Sequence, residues 1–260
     1  MELVILTGAS RGLGRAMAER LLSPDRLLLT VSRRHEPALQ EQAAARGARL
    51  EQWALDLALE PVLHPALDLE LSVAARLEAW LRRQDATRFS AATLINNAGL
   101  LGRVGPLQDA DAASIAAALR VGLEAPALLA SAFLRVTDGW RVPRKVLNIS
   151  SGAGRRAIAG WSVYCAAKAG LDQLSRVMAE DEARRPNGAR IVSLAPGVID
   201  TDMQGELRAA DAAGFPDQPR FEELKASGQL ASADDAASRV LAYLARPDFG
   251  AHPVADVRDA

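Results

Sequence analysis

A doubly wound α/β domain around a mostly or fully parallel seven-stranded sheet is the fold class predicted for this 260-residue sequence. Three observations predict it. Short aliphatic runs alternate with longer stretches of helical period, as repeated strand–helix–strand units do. Most of those runs are apolar nearly throughout, as strands buried on both faces must be. The first run leads directly into a glycine-rich turn, Thr7-Gly8-Ala9-Ser10-Arg11-Gly12-Leu13-Gly14, and then into a helical pattern.

In chain order, a strand over Leu3 to Thr7 is followed by a helix over Leu13 to Leu22. Further strands are predicted at Leu27 to Val31, Leu50 to Ala54, Thr93 to Asn96, Lys145 to Ser150 and Arg190 to Ala195, with a last one near Val254 to Val257. Helices are predicted at Glu36 to Arg46, Leu71 to Arg83, Ala112 to Arg135, Ser162 to Arg185 and Ala236 to Leu244. Pro186-Asn187-Gly188 stops the fifth helix, and Ser232 or Asp234 can cap the sixth. Two stretches read as irregular: Ala58 to Leu69, with Pro61 and Pro65, and Gly214 to Pro219. The second lies where an open α/β sheet carries ligand-covering loops, so a region of about 198–230 is expected to cover a substrate. With no internal repeat, residues 1–260 read as one domain.

Composition narrows the partners. Lys+Arg of 31 against Asp+Glu of 32 leaves a net charge of −1, which argues against a nucleic-acid partner or a charged membrane surface. The single cysteine, Cys165, cannot form an intramolecular disulfide and fits a reducing compartment, so a cytoplasmic location is expected. The apolar start lacks a basic leader, and no stretch reads as a membrane span of roughly 20 residues. His35, His64 and His252 are scattered, so no metal site is expected.

The glycine turn is suited to a dinucleotide. Gly8 closes the strand, Gly12 lets backbone approach a phosphate, and Gly14 lets the new helix pack closely. Ser10, Arg11 and Leu13 complete the turn and its donors. A purely structural turn is the alternative. After the second strand, Ser32-Arg33-Arg34 offers basic groups where a carboxylate would otherwise bind a ribose 2′-hydroxyl. A guanidinium pairs with a 2′-phosphate, so Arg33, with Ser32, Arg34 and Arg11, favours NADPH/NADP+ over NAD. A solvated arginine pair is the other reading. Asp56 can accept from an adenine amino group or cap a turn. Asn96-Asn97-Ala98-Gly99 ends the fourth strand, where the small Ala98 and Gly99 let a cofactor ribose approach and the amides of Asn96 and Asn97 tie neighbouring strands, or where the run forms a simple turn.

Tyr164 and Lys168 stand four apart in a helical segment, so their side chains share a face. An ammonium there stabilises phenolate and makes proton exchange with a carbonyl oxygen feasible. An ordinary surface pair is the alternative. Ser151, at the end of the fifth strand, can donate to developing oxyanion charge. Pro196, Gly197 and Val198 form the turn after the sixth strand, and Thr201 can hydrogen-bond a carboxamide. Trp161, Met203, Leu207, Phe215 and Phe221 can wall a substrate pocket or simply pack together, and Cys165 is expected to pack.

These residues together resemble the short-chain dehydrogenase/reductase family over nearly the whole chain. The TGxxxGxG turn, Asn-Asn-Ala-Gly, Ser151, Tyr-x-x-x-Lys and Pro-Gly stand in the family's order. The resemblance implies a Rossmann-type fold and hydride exchange between a nicotinamide and a carbonyl carbon. It also implies Tyr164 as proton donor, Lys168 as the group that lowers its pKa and holds the nicotinamide ribose, and Ser151 as holder of the substrate oxygen. A homodimer or homotetramer formed through the two long helices is implied as well.

One position departs from the family pattern: Gly122 stands where an Asn is usual, in Arg120-Val121-Gly122-Leu123-Glu124-Ala125-Pro126. That Asn holds a helix kink and a water leading to the catalytic Lys, so the proton relay loses an amide here, yet Gly122→Asn is expected to leave activity within about an order of magnitude. The ending, Phe249 to Asp259, resembles sepiapterin reductases and related bacterial benzil reductases, which implies reduction of a compact dicarbonyl or aromatic ketone. A non-catalytic NADP(H)-binding regulatory member of the fold and an NAD-linked alcohol dehydrogenase are the alternatives.

Overall fold

A computed structural model describes residues 1–59 and 72–259 of the chain. All seven expected strands form: β1 Glu2–Thr7, β2 Arg26–Ser32, β3 Arg49–Ala54, β4 Ala91–Asn96, β5 Arg144–Ile149, β6 Arg190–Ala195 and β7 Val254–Asp256. They pair in parallel in the order β3-β2-β1-β4-β5-β6-β7. The chain thus starts mid-sheet, builds outward through β3, and returns to build the other half from β4. That reversal opens a crevice beyond the carboxyl ends of β1 and β4.

Alternating strand residues supply two cores. Leu3 and Ile5 of β1 face one layer while Val4 and Leu6 face the other, and all four are buried. Burying a leucine or isoleucine fully stabilises by about 1.5–3 kcal/mol, so β1 is an anchor for both faces. One layer contains α1 Gly12–Leu21, α2 Pro37–Ala45 and α9 Ala233–Ala245. The other receives α3 Val73–Arg82 and α5 Ala125–Thr137, with part of α6 Ser162–Ala183. Ser232 is the cap of α9, its Oγ accepting from the Asp235 amide at 3.0 Å, whereas Asp234 binds Arg20 at 2.7 Å.

Three sequence expectations need correction. The helix expected over Ala112 to Arg135 is interrupted: α4 Ala112–Leu119 passes through a π-helical turn, Arg120–Glu124, before α5. The segment expected to be irregular, Gly214 to Pro219, is irregular as far as Asp217, but its last two residues open helix α8 Gln218–Ala226, and α7 Asp202–Arg208 precedes it. Neither carries an apolar stripe: α8 buries only Phe221, and α7 only Gln204 and Leu207, so periodicity could not reveal them. The run Ala112–Thr137 is also long and apolar enough, by length and composition, to cross a membrane, contrary to the sequence expectation. Half of its most apolar window is buried inside the fold. Of the stretch Ala58 to Leu69, the described part closes a short 3-10 turn, Leu57–Leu59, and the rest, like Leu71, lies outside the described residues.

The π turn explains how the chain accommodates Gly122. A Cβ at this buried position would lie 3.0 Å from Ala167 Cβ on α6, next to Lys168. Glycine therefore lets the two helices approach closely beside the Tyr164–Lys168 segment, and an Asn there requires Ala167 to yield. Alanine at 122 is expected to be better tolerated, by about 0.5–3 kcal/mol, when residue 167 is glycine than when it is alanine. Urea unfolding of Gly122→Ala, Ala167→Gly and the double variant checks this, and simple additivity would refute the contact.

Candidate active site

The glycine turn folds back on itself. Gly8 and Gly12 have φ of 72° and 55°, in the left-handed region, and a Cβ on Gly14 would come within 2.1 Å of the Gly8 carbonyl oxygen. Arg11, at the start of α1, makes no side-chain cap, so the first N–H groups of that helix remain open to an anion. Polar side chains brace the turn from both neighbouring strands. Ser32 Oγ accepts from the Ala9 amide at 2.9 Å. Thr7 Oγ1 accepts from the amides of Asn97 and Ala98, each at 3.0 Å, while Asn97 Nδ2 donates to the carbonyls of Thr7 and Gly8.

A cleft of about 700 Å³ runs along this edge. Gly8, Ser10, Arg11, Gly12, Leu13 and Gly14 line it from β1 and α1; Ser32, Arg33 and Asp56 line it from β2 and β3. Asn97, Ala98 and Gly99 continue the wall after β4, and Pro196, Gly197, Val198 and Thr201 follow β6. Arg34 is the exception. Its guanidinium turns to Glu36 at 3.1 Å and stays outside the lining, whereas Arg33 lines the cleft with no hydrogen bond or ion pair to any described residue. Arg11 is paired with Asp202 on α7 at 2.9 Å, which ties the covering segment to the glycine turn. Asp56 does cap a turn, accepting from the Ala58 amide at 3.0 Å, while also lining the cleft.

Ser151, Tyr164 and Lys168 enter the same cleft from β5 and α6. Burial pushes the Tyr164 phenol up to about 12, against a side-chain hydrogen bond with Ser151 that acts to lower it. Lys168 lies over the Tyr164 ring, its Nζ 5.7 Å from the centroid, and donates to the Ile149 carbonyl at 2.7 Å. Burial pushes this ammonium down to about 8, with the Asp172 charge opposing. The protein's own groups therefore hold the phenol protonated near neutral pH, in contrast to the lowered value expected of the pair from sequence.

Asp172 and Arg155, which hold this geometry, were missed from sequence, whereas the strand-tying amide at Asn96 was expected. Asp172, only 1 % exposed, accepts from both Ser150 Oγ and Ser193 Oγ at 2.6 Å, joining β5 to β6. Arg155 pairs with the other Asp172 oxygen at 3.2 Å and donates to the Ala255 carbonyl of β7. Asn96 donates to Asn148 Oδ1 at 2.8 Å, and Asn148 in turn donates to Ser175 Oγ on α6 at 2.8 Å. One signal was available: Asp172 stands four residues after Lys168 and so shares its buried helix face.

Beyond the phenol the cleft becomes apolar. Trp161, Met203, Leu207 and Phe221 line it as expected, and the Trp161 ring lies 5.2 Å from Tyr164. Phe215 is fully buried and outside the lining, stacking on Trp161 at 5.4 Å from behind. The hydrophobic wall and its packed support thus come from α7, α8 and the start of α6.

Residues 2–212 match the family model described as short chain dehydrogenase. The chain is 32% identical over 249 residues to a benzil reductase ((S)-benzoin forming) of Bacillus cereus, covering 96% of this chain and 96% of that protein. It is 35% identical over 263 residues to the sepiapterin reductase of Meriones unguiculatus, covering 95% and 94% respectively. Among solved structures it is similar to a short-chain dehydrogenase/reductase from Burkholderia vietnamiensis, with TM-score 0.62, 35% identity and coverage of 100% and 99%.

The buried lysine gives stability a pH dependence. Between its lowered folded value of about 8 and its ordinary value of 10.5, the unfolded chain holds a proton that the folded chain has released. Stability from this group therefore rises as pH rises through that window, and is lost as pH falls through the folded value. Wild type is expected to gain up to about 1.4 kcal/mol per pH unit over Lys168→Met between these limits. Urea unfolding of both proteins from pH 7 to 10 checks it; parallel profiles would contradict the burial effect.

Proposed function

The chain belongs to the short-chain dehydrogenase/reductase family, whose members are oxidoreductases that use nicotinamide cofactors, and on that premise we propose that it is an NADPH-dependent reductase of a compact dicarbonyl or aromatic ketone. The observation that carries the reading is the shared cleft: the open N-terminus of α1, Arg33 with no partner among the described residues, and the group Ser151, Tyr164 and Lys168 all line it. The glycine turn fits a dinucleotide, because Gly8 and Gly14 let it fold tightly against Ala98 and the start of α1, which leaves the uncapped N–H groups of that helix at the cleft. Gly12, Ser10 and the α1 amides would hold the pyrophosphate, Arg33 the 2′-phosphate, and Thr201 the carboxamide. When bound, the cofactor supplies the hydride that the carbonyl carbon receives.

In this reading Tyr164 donates the proton that turns the carbonyl oxygen into a hydroxyl. A phenol kept protonated by burial is prepared for that role, and a cation over its ring stabilises the phenolate left behind. Ser151 donates to the oxygen as charge develops on it. Lys168, held by the Ile149 carbonyl, would also bind the nicotinamide ribose. The choice of an aromatic or vicinal dicarbonyl substrate is supported by the apolar wall of Trp161 and Phe221, and by the names of the relatives, a benzil reductase and a sepiapterin reductase.

The test follows nicotinamide absorbance with NADPH and a panel of aromatic 1,2-diketones, ketones and aldehydes. Tyr164→Phe is expected to lower kcat about 10²–10⁴-fold while NADPH still binds. Arg33→Ala is expected to weaken NADPH by about tenfold or more and leave NADH nearly unchanged. Binding without turnover across the panel would favour a regulatory nucleotide-binding protein. Equal NADPH and NADH affinities, unmoved by Arg33→Ala, would remove the 2′-phosphate assignment.

A further inference from the structure

We propose that the outer mouth of the cleft binds an anionic group of the substrate, so that the preferred carbonyl compound carries a carboxylate at the end away from the reacting carbonyl. This rests on the reductase reading above and specifies its substrate. The argument comes from which charges along the cleft already have partners. Asp200 is paired with Lys225 and Asp202 with Arg11, while Asp256 takes Arg258 through two bonds of 2.8 and 2.6 Å. Three guanidiniums lining the cleft, those of Arg33, Arg156 and Arg220, have neither a hydrogen bond nor an ion pair among the described residues. Arg33 stands after β2, at the end assigned to the 2′-phosphate. Arg156 and Arg220 belong to the opposite end.

Aromatic rings mark the path to that end. From the Tyr164 ring, Trp161 is 5.2 Å away and Phe221 a further 5.6 Å from Trp161, with Arg220 next to Phe221 on α8. Arg156 lies in the β5–α6 connection, close enough for its charge to act on the Cys165 thiol, one residue beyond Tyr164. The lining acids Asp200 and Asp202 each have an ion-pair partner, so Arg156 and Arg220 are two exposed cations with no bonded partner among the described residues beside an apolar wall. Such an arrangement raises the local concentration of anions and relieves its own repulsion when one is bound. Each guanidinium presents a fork that matches a carboxylate, and a neutral ligand would leave both forks to water. Because both side chains are exposed, the preference is moderate and weakens with salt.

The experiment compares 1-phenylpropane-1,2-dione bearing a para-carboxylate with its methyl ester and with the unsubstituted diketone. At low salt the carboxylate is expected to exceed the ester in kcat/KM by about tenfold, mainly through KM, and the ratio falls as salt is added. The double substitution Arg156→Gln and Arg220→Gln brings the carboxylate-to-ester ratio close to one. If the ester and unsubstituted diketone turn over while the carboxylate has no advantage, the anion site is wrong and the reductase reading stands. An advantage that survives the double substitution equally overturns the anion site. If none of the three is reduced with NADPH, the reductase reading fails for this class and takes the inference with it.

Discussion

Buried hydrogen bonds between the carboxyl ends of adjacent strands are the constraint on which the candidate site depends. A parallel sheet aligns its strands but leaves their ends to diverge into separate loops. In this protein side chains tie those ends laterally: Thr7 with Asn97 across β1 and β4, Asn96 with Asn148 across β4 and β5, and Asp172 with Ser150 and Ser193 across β5 and β6. Arg155 carries the last of these ties to β7 through the Ala255 carbonyl. The Asn96–Asn148 bond and the two bonds to Asp172 are shielded from water, so breaking one leaves a buried donor or acceptor unsatisfied at about 1–3 kcal/mol, whereas the Thr7–Asn97 bond is part-buried and the Arg155 bond exposed. They also set where Ser151 and Lys168 stand, since one follows Ser150 and the other precedes Asp172 by one helical turn. Packing holds the layers together, but it is these polar bonds that set the spacing of the edge.

The same burial that strengthens the ties sets the protonation of the reacting groups. Removing Tyr164 and Lys168 from water favours the neutral form of each, raising the phenol and lowering the ammonium. The charge of Asp172 opposes that effect at the lysine. A proton donor and its neighbouring amine therefore sit side by side with their proton affinities pushed apart, so that the phenol keeps its proton and the lysine is the first of the two to release one.

Much of this organisation was legible in the sequence. Strands buried on both faces announce themselves as short aliphatic runs, and all seven appear where expected, within about two residues at each end. The glycine turn was legible because three separate steric demands fall on three glycines. What escaped notice depends on tertiary neighbours. Helices α7 and α8 bury one or two residues each, so they lack the periodic signal that packing against a sheet writes into a sequence. Arg33 and Arg34 are chemically identical in the sequence, and among the described residues it is Glu36, bonded to Arg34 and not to Arg33, that distinguishes them. Lowering of the tyrosine pKa was expected from a nearby charge, but spacing along a helix carries no information about how much water is excluded.

Gly122 and Ala167 show why a departure from a family pattern cannot be weighed at one position. Considered alone, Gly122 is a missing amide. Considered with Ala167, it is half of a shared volume between two helices, because a methyl group at 122 would meet the one at 167 at 3.0 Å. The unit under selection is then the pair, and substitutions at the two positions should be found to covary in size. A relative with a larger residue at 122 would need its second helix displaced, or a smaller partner opposite, and in either case the backbone bearing its lysine would have settled at a different depth.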